Sequence, residues 1–179
     1  MNTGAEAVET ALKICRKWAY EKKGVAEKQA QIIVCENNFH GRTTTIISFS
    51  NDENARKNFG PFTEGFIKIP YDDIDALEKA ISSSPNIAGF LVEPIQGEAG
   101  VIVPDDDYLP KVAELCKKHN ILLAVDEVQT GIGRTGAKIC CDHFGFKPDI
   151  LILGKALSGG VLPVSAVLSS HEIILTIKP

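Results

Sequence analysis

Short apolar runs that do not alternate with polar residues constrain the fold of this chain more than any other feature. Four such runs are present, at residues 32–35, 87–92, 121–125 and 149–154. Each predicts a strand that is covered on both faces. Three amphipathic helices are predicted around them, at 5–20, 72–83 and 105–119. This alternation indicates an α/β fold with a mainly parallel sheet and helices on both faces.

The rest of the chain adds one predicted strand at 164–169 and one weakly patterned stretch at 37–70. That stretch is rich in Gly, Asn, Ser and Phe, so we expect it to be mostly loop, with a strand at 44–48. The 179 residues suit one ordinary domain, and no repeat or linker divides them.

Composition excludes several classes of protein. The formal net charge of -4 and the lack of a basic stripe argue against nucleic-acid binding. No apolar stretch is long enough to span a membrane, and the first twenty residues are too charged for a signal peptide. The five cysteines include no CxxC pair and form no metal-like group with the histidines, so we expect no metal site and reduced thiols in an intracellular compartment.

Asp126 and Lys155 each follow a predicted buried strand. In parallel sheets, ligands bind beyond the carboxyl ends of the strands, where both side chains are expected to lie. An amine that condenses with an aldehyde, beside a carboxylate that keeps a pyridine nitrogen protonated, is what a pyridoxal phosphate (PLP) enzyme requires. Alone, either residue is more often a turn cap or an exposed lysine, but together they favour a PLP site.

The segment before the first predicted helix offers a site for an anion. Residues 2–5 would present free amides at the helix start, and a small residue there allows close approach of a phosphate. The alternative is an ordinary helix cap formed by Asn2 or Thr3.

Two further segments carry candidate site residues. Phe39 and Arg42 share one loop, and they could stack on a flat cofactor and bind a carboxylate, or be a core aromatic and a surface arginine. Glu93 and Glu98 follow a predicted strand; they could serve acid–base chemistry, although solvated loop acids are commoner.

Residues 131–136 match the GxGxxG pattern of dinucleotide-binding proteins, but the context is wrong. Five residues separate the pattern from the preceding strand, no good helix follows it, and Asp149 begins the next strand instead of ending it. A phosphate-binding P-loop is also excluded, because Ala156 follows Lys155 and the first glycine of that motif is absent.

Taken together, the motifs of this chain resemble the class III, ornithine-type family of PLP-dependent aminotransferases. The resemblance covers essentially the whole chain and depends on residues 2–7, 39–43, 59–61, 92–100, 126–131 and 153–160. It implies the large domain of the fold type I PLP-dependent transferases. Family members begin before residue 1 and continue beyond residue 179 into a small C-terminal domain. Residues 1–179 are therefore expected to be a partial PLP-binding large domain, incomplete at both ends.

The resemblance also implies a role for each candidate residue. Lys155 would hold PLP and move a proton, and Asp126 would pair with the ring nitrogen. Arg42 would bind a substrate carboxylate, and Glu98 would neutralise a distant arginine while the first substrate is bound. The other implied cofactor contacts are ring stacking by Phe39 and Val128, a bond to the ring hydroxyl by Gln129, and phosphate binding by Gly4 and Ala5.

The implied reaction transfers the δ-amino group of L-ornithine to 2-oxoglutarate, which gives glutamate 5-semialdehyde and glutamate. Residues 1–4, 97–101 and 163–166 look most like the ornithine branch of the family. Acetylornithine and 4-aminobutyrate aminotransferases are the nearest alternatives, and a non-catalytic truncated fragment would share every motif. The resemblance implies a homodimer with the active site at its interface, and it leaves open cytoplasm or mitochondrial matrix.

Overall fold

The computed structural model describes residues 1–178, which form a sheet of six strands with helices on both faces. The strands are β1 (Gln31–Cys35), β2 (Phe66–Ile69), β3 (Ile87–Val92), β4 (Leu122–Asp126), β5 (Ile150–Leu153) and β6 (Ala166–Ser169). The α-helices are α1 (Gly4–Trp18), α2 (Thr44–Ile47), α3 (Glu53–Arg56), α4 (Ile74–Ser82), α5 (Tyr108–Lys118), α6 (Cys141–Phe144) and α7 (His171–Ile174). A π-helical turn, Ala19–Lys23, extends α1, and a 3-10 turn, Lys155–Ser158, follows β5.

The strand order is β2-β1-β3-β4-β5-β6, with every neighbouring pair parallel except β5 and β6. The predicted mainly parallel sheet is therefore confirmed. All six residues of β3 and all five of β4 are buried, because these central strands are covered on both faces as their unbroken apolar sequences predict.

Helices on opposite faces bury two separate apolar layers. On one face α1 contributes Val8, Leu12 and Cys15 to the core. On the other face α4 and α5 contribute Leu77 and Val112 to a second core. Burying a side chain of this kind stabilises the fold by about 1.5–3 kcal/mol, so the two layers hold the sheet between them.

The prediction for the stretch 37–70 was wrong in two places. Residues 44–47 form the short helix α2 instead of a strand, with the Thr43 hydroxyl accepting the Ile46 amide at its start. Ile46 and Ile47 are both buried, which a helical turn allows for adjacent residues. The strand β2 lies in the segment that was expected to be loop. Its apolar signal in the sequence is weak, because only Ile69 of its four residues is buried.

The topology brings several chain segments to one edge of the sheet. β3, β4 and β5 are parallel, so their carboxyl ends, followed by Glu93, by Glu127 and by Gly154, lie side by side. The amino terminus of α1 approaches the same edge, since Gly4 contacts Val128. Among residues 1–178, no helix is both long enough and apolar enough to cross a bilayer.

Candidate active site

A cavity of about 170 Å³ lies at this edge of the sheet. Its lining includes all seven residues that the sequence predicted as cofactor contacts: Gly4, Ala5, Phe39, Asp126, Val128, Gln129 and Lys155. The structure thus brings together residues that are up to 151 positions apart in the sequence. His40 and Glu93, to which the sequence assigned no role or an uncertain one, line it as well.

Asp126 is the last residue of β4 and its carboxylate is held from two sides. One oxygen, Oδ2, lies 2.7 Å from Nδ1 of His40, and the other, Oδ1, accepts the Val128 amide at 3.0 Å. The side chain of Asp126 is 5% exposed and that of His40 is fully buried. These two bonds fix both the position and the rotation of the carboxylate beneath the cavity.

The electrostatic balance at His40 favours its charged form. Burial alone would lower its pKa, but the hydrogen bond to Asp126 and the charges of Asp126 and Glu93 outweigh burial and raise the pKa above the ordinary 6.5. Nε2 of His40 is buried without a hydrogen-bond partner in the described part of the chain.

Glu93 is buried, so the commoner alternative of a solvated loop acid was wrong. Its carboxylate accepts the Phe39 amide at 3.0 Å, and the Tyr71 hydroxyl donates to the carbonyl oxygens of Glu93 and Pro94. Burial raises the pKa of Glu93, against the opposing effects of His40 and the Phe39 amide. The corner after β3 is therefore fixed by Tyr71 and turns the acid inward.

Lys155 immediately follows β5 and Gly154, and its backbone is in the left-handed region with φ of 41°. A non-glycine residue rarely adopts this conformation outside functional or tightly constrained positions. The amine Nζ donates to Oε1 of Gln129 at 3.1 Å, and the side chain is exposed. The Lys155 amine therefore reaches the cavity from the end of β5, which is the neighbour of β4, the strand that carries Asp126.

The start of α1 also lines the cavity, through Gly4 and Ala5. Thr3 caps the helix, as the simpler sequence alternative held, and the Glu6 carboxylate accepts the amides of Asn2 and Thr3. The amides of Gly4 and Ala5 have no hydrogen-bond partner among residues 1–178. A side chain at Gly4 would place its Cβ 2.8 Å from a methyl group of Val128, so only glycine fits there.

Arg42 and Glu98, the two predicted substrate residues, do not line this cavity. Both are exposed, and both line an adjoining cavity of about 330 Å³ that shares Phe39 and His40 with the first. The guanidinium carbon of Arg42 lies 5.7 Å from the centre of the Phe39 ring. Phe39 and His40 therefore lie between the two cavities and contribute to the lining of both.

The GxGxxG segment forms turns instead of opening a helix, in agreement with the rejection of a dinucleotide site. Ile132, Gly133 and Gly136 all have positive φ. Glu127, which sequence reasoning missed, is fully buried and accepts the amides of Cys140 and Cys141. These hydrogen bonds hold the start of α6 beside the end of β4. The only sequence signal for Glu127 is that it follows Asp126, because consecutive side chains along a strand point to opposite faces of the sheet.

Metal chemistry has no candidate in the part of the chain that is described. No group of three or more His, Cys, Asp or Glu residues in 1–178 is placed to hold an ion. All five cysteines are free and buried.

Comparisons with known proteins agree with this geometry. The aminotransferase class-III family matches residues 1–179. The ornithine aminotransferase of Plasmodium falciparum (isolate 3D7) is 59% identical over 179 residues, which are 100% of this chain and 43% of that protein. The crystal structure of ornithine aminotransferase from Toxoplasma gondii ME49 has a TM-score of 0.98 at 54% identity, covering 100% of this chain and 42% of that one.

A third relative carries a different name. The acetylornithine aminotransferase of Elizabethkingia anophelis is 66% identical, with a TM-score of 0.86 and coverage of 100% of this chain and 43% of that one. A further structure of the T. gondii enzyme contains PLP at partial occupancy in its active site. The chain spans less than half the length of these relatives. Its sequence match, its fold and its strand-end lysine and aspartate together show that this chain belongs to the class-III aminotransferase family.

Proposed function

We propose that the protein is a PLP-dependent aminotransferase that transfers the δ-amino group of L-ornithine to 2-oxoglutarate, giving glutamate 5-semialdehyde and glutamate. One observation carries the proposal: Lys155 and Asp126, at the ends of neighbouring strands, line one cavity together with a helix start whose amides are unbonded. Family membership and the name of the Plasmodium relative support the choice of ornithine.

The residues around the cavity fit PLP in charge and shape. Gly4 and Ala5 offer two free amides to a phosphate, and the lack of a side chain at Gly4 lets the helix start approach Val128 closely. Asp126 offers an oriented, buried anion for the pyridine nitrogen. Phe39 and Val128 supply apolar walls for the ring. Bound PLP supplies an aldehyde that captures amines and a ring that accepts electrons.

Each part of the proposed reaction that this chain would perform is assigned to one of its residues. The amine of Lys155 would hold the cofactor and would take and return the proton at the reacting carbon. Asp126, oriented by His40, would keep the ring nitrogen protonated, and Gln129 would bind the ring hydroxyl. Arg42 would bind a substrate carboxylate in the adjoining cavity. Glu98, in that same cavity, would neutralise an arginine from outside this segment during the first half-reaction.

The molecular setting is part of the proposal. Residues 1–179 would form part of the PLP-binding large domain of a longer protein, which is supported by relatives more than twice as long as this chain. A homodimer with the active site at its interface is supported by the exposed apolar residues Val161 and Leu162, close in sequence to Lys155. Five free buried thiols suit a reducing compartment, either cytoplasm or mitochondrial matrix.

The amino donor is tested by a competition of substrates. The purified protein, loaded with PLP and supplied with 2-oxoglutarate, should use L-ornithine with a higher kcat/KM than N-acetylornithine or 4-aminobutyrate, and glutamate 5-semialdehyde should accumulate. A preference for N-acetylornithine would replace the substrate and make acetylornithine aminotransferase, the second candidate supported by the 66% identical relative, the function.

A separate experiment asks whether residues 1–179 act alone. The purified 179-residue chain is mixed with PLP, and its visible absorption is recorded before and after ornithine. A band that ornithine bleaches would show that this segment assembles a working half-site. No band would make it a non-catalytic fragment of the longer enzyme.

A further inference from the structure

Gly97 touches the side chain that holds the Lys155 amine. The amide of Gln129 lies flat against it, so that a Cβ added to Gly97 would lie 2.6 Å from Nε2, 2.7 Å from Cδ and 2.8 Å from Oε1. Real Cβ atoms essentially never approach other atoms this closely. All three amide atoms are equally close, so the contact is the same whichever way the amide is turned.

The same amide makes the hydrogen bond of the Lys155 amine, since Oε1 of Gln129 accepts it at 3.1 Å. Gly97, Gln129 and Lys155 therefore form a continuous stack, which runs from the loop after β3 to the second residue after β5. Gly97 also precedes Glu98 directly, so the stack joins the loop of a proposed substrate residue to the proposed cofactor lysine.

The loop at Gly97 is held by several hydrogen bonds, whereas Gln129 has an exposed, flexible side chain. The Gln96 side chain donates to the Glu36 carbonyl at 2.8 Å, and the backbones of Gln96 and Ile102 exchange hydrogen bonds of 3.0 and 2.9 Å. The Gly97 carbonyl accepts the amide of Val101 at 3.1 Å. Gln129 is exposed, and its amide is the far end of a flexible side chain. An atom added at position 97 would displace the amide and leave the loop in place.

We propose that Gly97 is a positioning residue for the reaction, because its lack of a side chain keeps the Gln129 amide against the Lys155 amine. Its backbone φ lies outside the left-handed region that requires glycine. Contact with Gln129 is therefore the reason for a glycine at this position. The inference rests on the proposed function for its consequence in catalysis, but the contact itself belongs to the protein without cofactor.

A double-mutant cycle tests the stack in the cofactor-free protein. Gly97→Ala, Gln129→Ala and the double variant are pulsed with acetic anhydride, and the acetylation rate of Lys155 relative to exposed Lys138 is read by mass spectrometry. Because each single variant removes or displaces the acceptor of the Lys155 amine, it should change the relative rate by roughly two- to tenfold. The double variant should match Gln129→Ala, since no amide is left to displace.

Two outcomes of the acetylation experiment would overturn the inference. One is an unchanged Lys155 rate in Gly97→Ala; the other is a double variant in which the two effects multiply, which would show that Gly97 and Gln129 act independently. Thermal unfolding of Gly97→Ala should stay within about 2 °C of the parent, because only a flexible side chain gives way. A large drop would mean that the loop has moved instead and would also count against the inference.

The same four proteins separate this inference from the proposed function. If the parent binds PLP, the dissociation constant should rise by roughly the same factor in Gly97→Ala and Gln129→Ala, and by no more in the double variant. If the parent binds no PLP, the proposed function fails, and the acetylation rates still decide whether Gly97 positions Gln129.

Discussion

The proposed active site has a buried floor and an exposed rim that are built differently. The floor consists of Asp126, His40 and Glu93, all buried and each held by hydrogen bonds from within this chain. The rim consists of four exposed side chains, Arg42, Glu98, Gln129 and Lys155. The only side-chain hydrogen bond found among the rim residues, in the described part of the chain, joins Lys155 to Gln129.

This chain therefore fixes the orientation of the floor side chains by itself, whereas it supplies the rim side chains without fixing their orientation. The floor residues lie at or beyond the ends of buried strands and need no other partner to keep their orientation. The rim side chains are exposed and flexible, so moving them costs little free energy. The Gln129 amide, which an atom added at Gly97 would displace, is an example. We therefore expect changes in the floor to affect stability and chemistry together, and changes in the rim to affect chemistry or binding alone.

The largest expected effect comes from the rim. Lys155→Ala should abolish nearly all turnover, because no other amine among the lining residues faces the cavity. Its thermal stability should stay close to that of the parent, since the side chain is exposed. Turnover and the visible absorption of the PLP-loaded protein check the first point, and Lys138→Ala serves as an exposed-lysine control. Retained turnover would remove Lys155 from its role.

A companion variant sharpens the result for Lys155. Its φ of 41° is a strained conformation for any residue with a side chain, and glycine relieves such strain by about 1 kcal/mol. Lys155→Gly should therefore be as inactive as Lys155→Ala but more stable by about that amount in thermal or denaturant unfolding. Equal stability of the two variants would show that the backbone conformation is not strained.

A floor variant should combine both kinds of effect. Asp126→Ala leaves Nδ1 of buried His40 without its hydrogen-bond partner, and an unsatisfied buried polar group destabilises a protein by about 1–3 kcal/mol. Proton abstraction at the substrate should also slow by several orders of magnitude, because the ring nitrogen loses its anion. Denaturant unfolding and single-turnover kinetics measure the two effects, with exposed Asp142→Ala as control. A near-normal rate would mean that Asp126 does not hold the ring nitrogen.

The division between floor and rim also explains how much the sequence could predict. The ends of apolar runs located Asp126 and Lys155, since the end of a buried strand is a local signal. The bond between His40 and Asp126 joins residues 86 positions apart, and no local pattern specifies it. The burial of Glu93 depends on Tyr71, which comes from a different segment. Long-range partners of this kind define the floor, which is why it was only partly predicted.

Propensity failed where tertiary burial decided the local structure. The run Thr44–Ile47 consists of β-branched residues that favour strands, yet it forms α2. The Thr43 cap and the burial of Ile46 and Ile47 outweigh that preference of a few tenths of a kcal/mol per residue. The position of Arg42 at the rim depends on this helix, which begins two residues later.

A third prediction concerns substrate binding at the rim. Arg42→Lys keeps the charge but loses the two parallel hydrogen bonds that a guanidinium makes to a carboxylate. KM for the carboxylate substrate should rise by about tenfold, which corresponds to 1.4 kcal/mol, with little change in stability. Steady-state kinetics of Arg42→Lys and of the exposed control Arg134→Lys provide the measurement. A fall in kcat with unchanged KM would place Arg42 in the chemistry instead of in binding.

The smallest effect should come from the charge of Glu93 and should depend on pH. Burial raises the folded-state pKa of this acid above its ordinary 4.5, so the folded protein holds its proton more tightly than the unfolded chain does. Ionisation therefore lowers stability as the pH rises from about 4.5 through the folded-state pKa. Glu93→Gln cannot ionise but can still accept the Phe39 amide. It should therefore gain stability relative to the parent as the pH rises from 4 to 8 in the cofactor-free protein. Exposed Glu36→Gln should show no such gain. A variant that instead loses stability towards pH 8 would mean that attraction between Glu93 and His40 outweighs the burial of the charge, and that the floor is held together by its charges as well as by its hydrogen bonds.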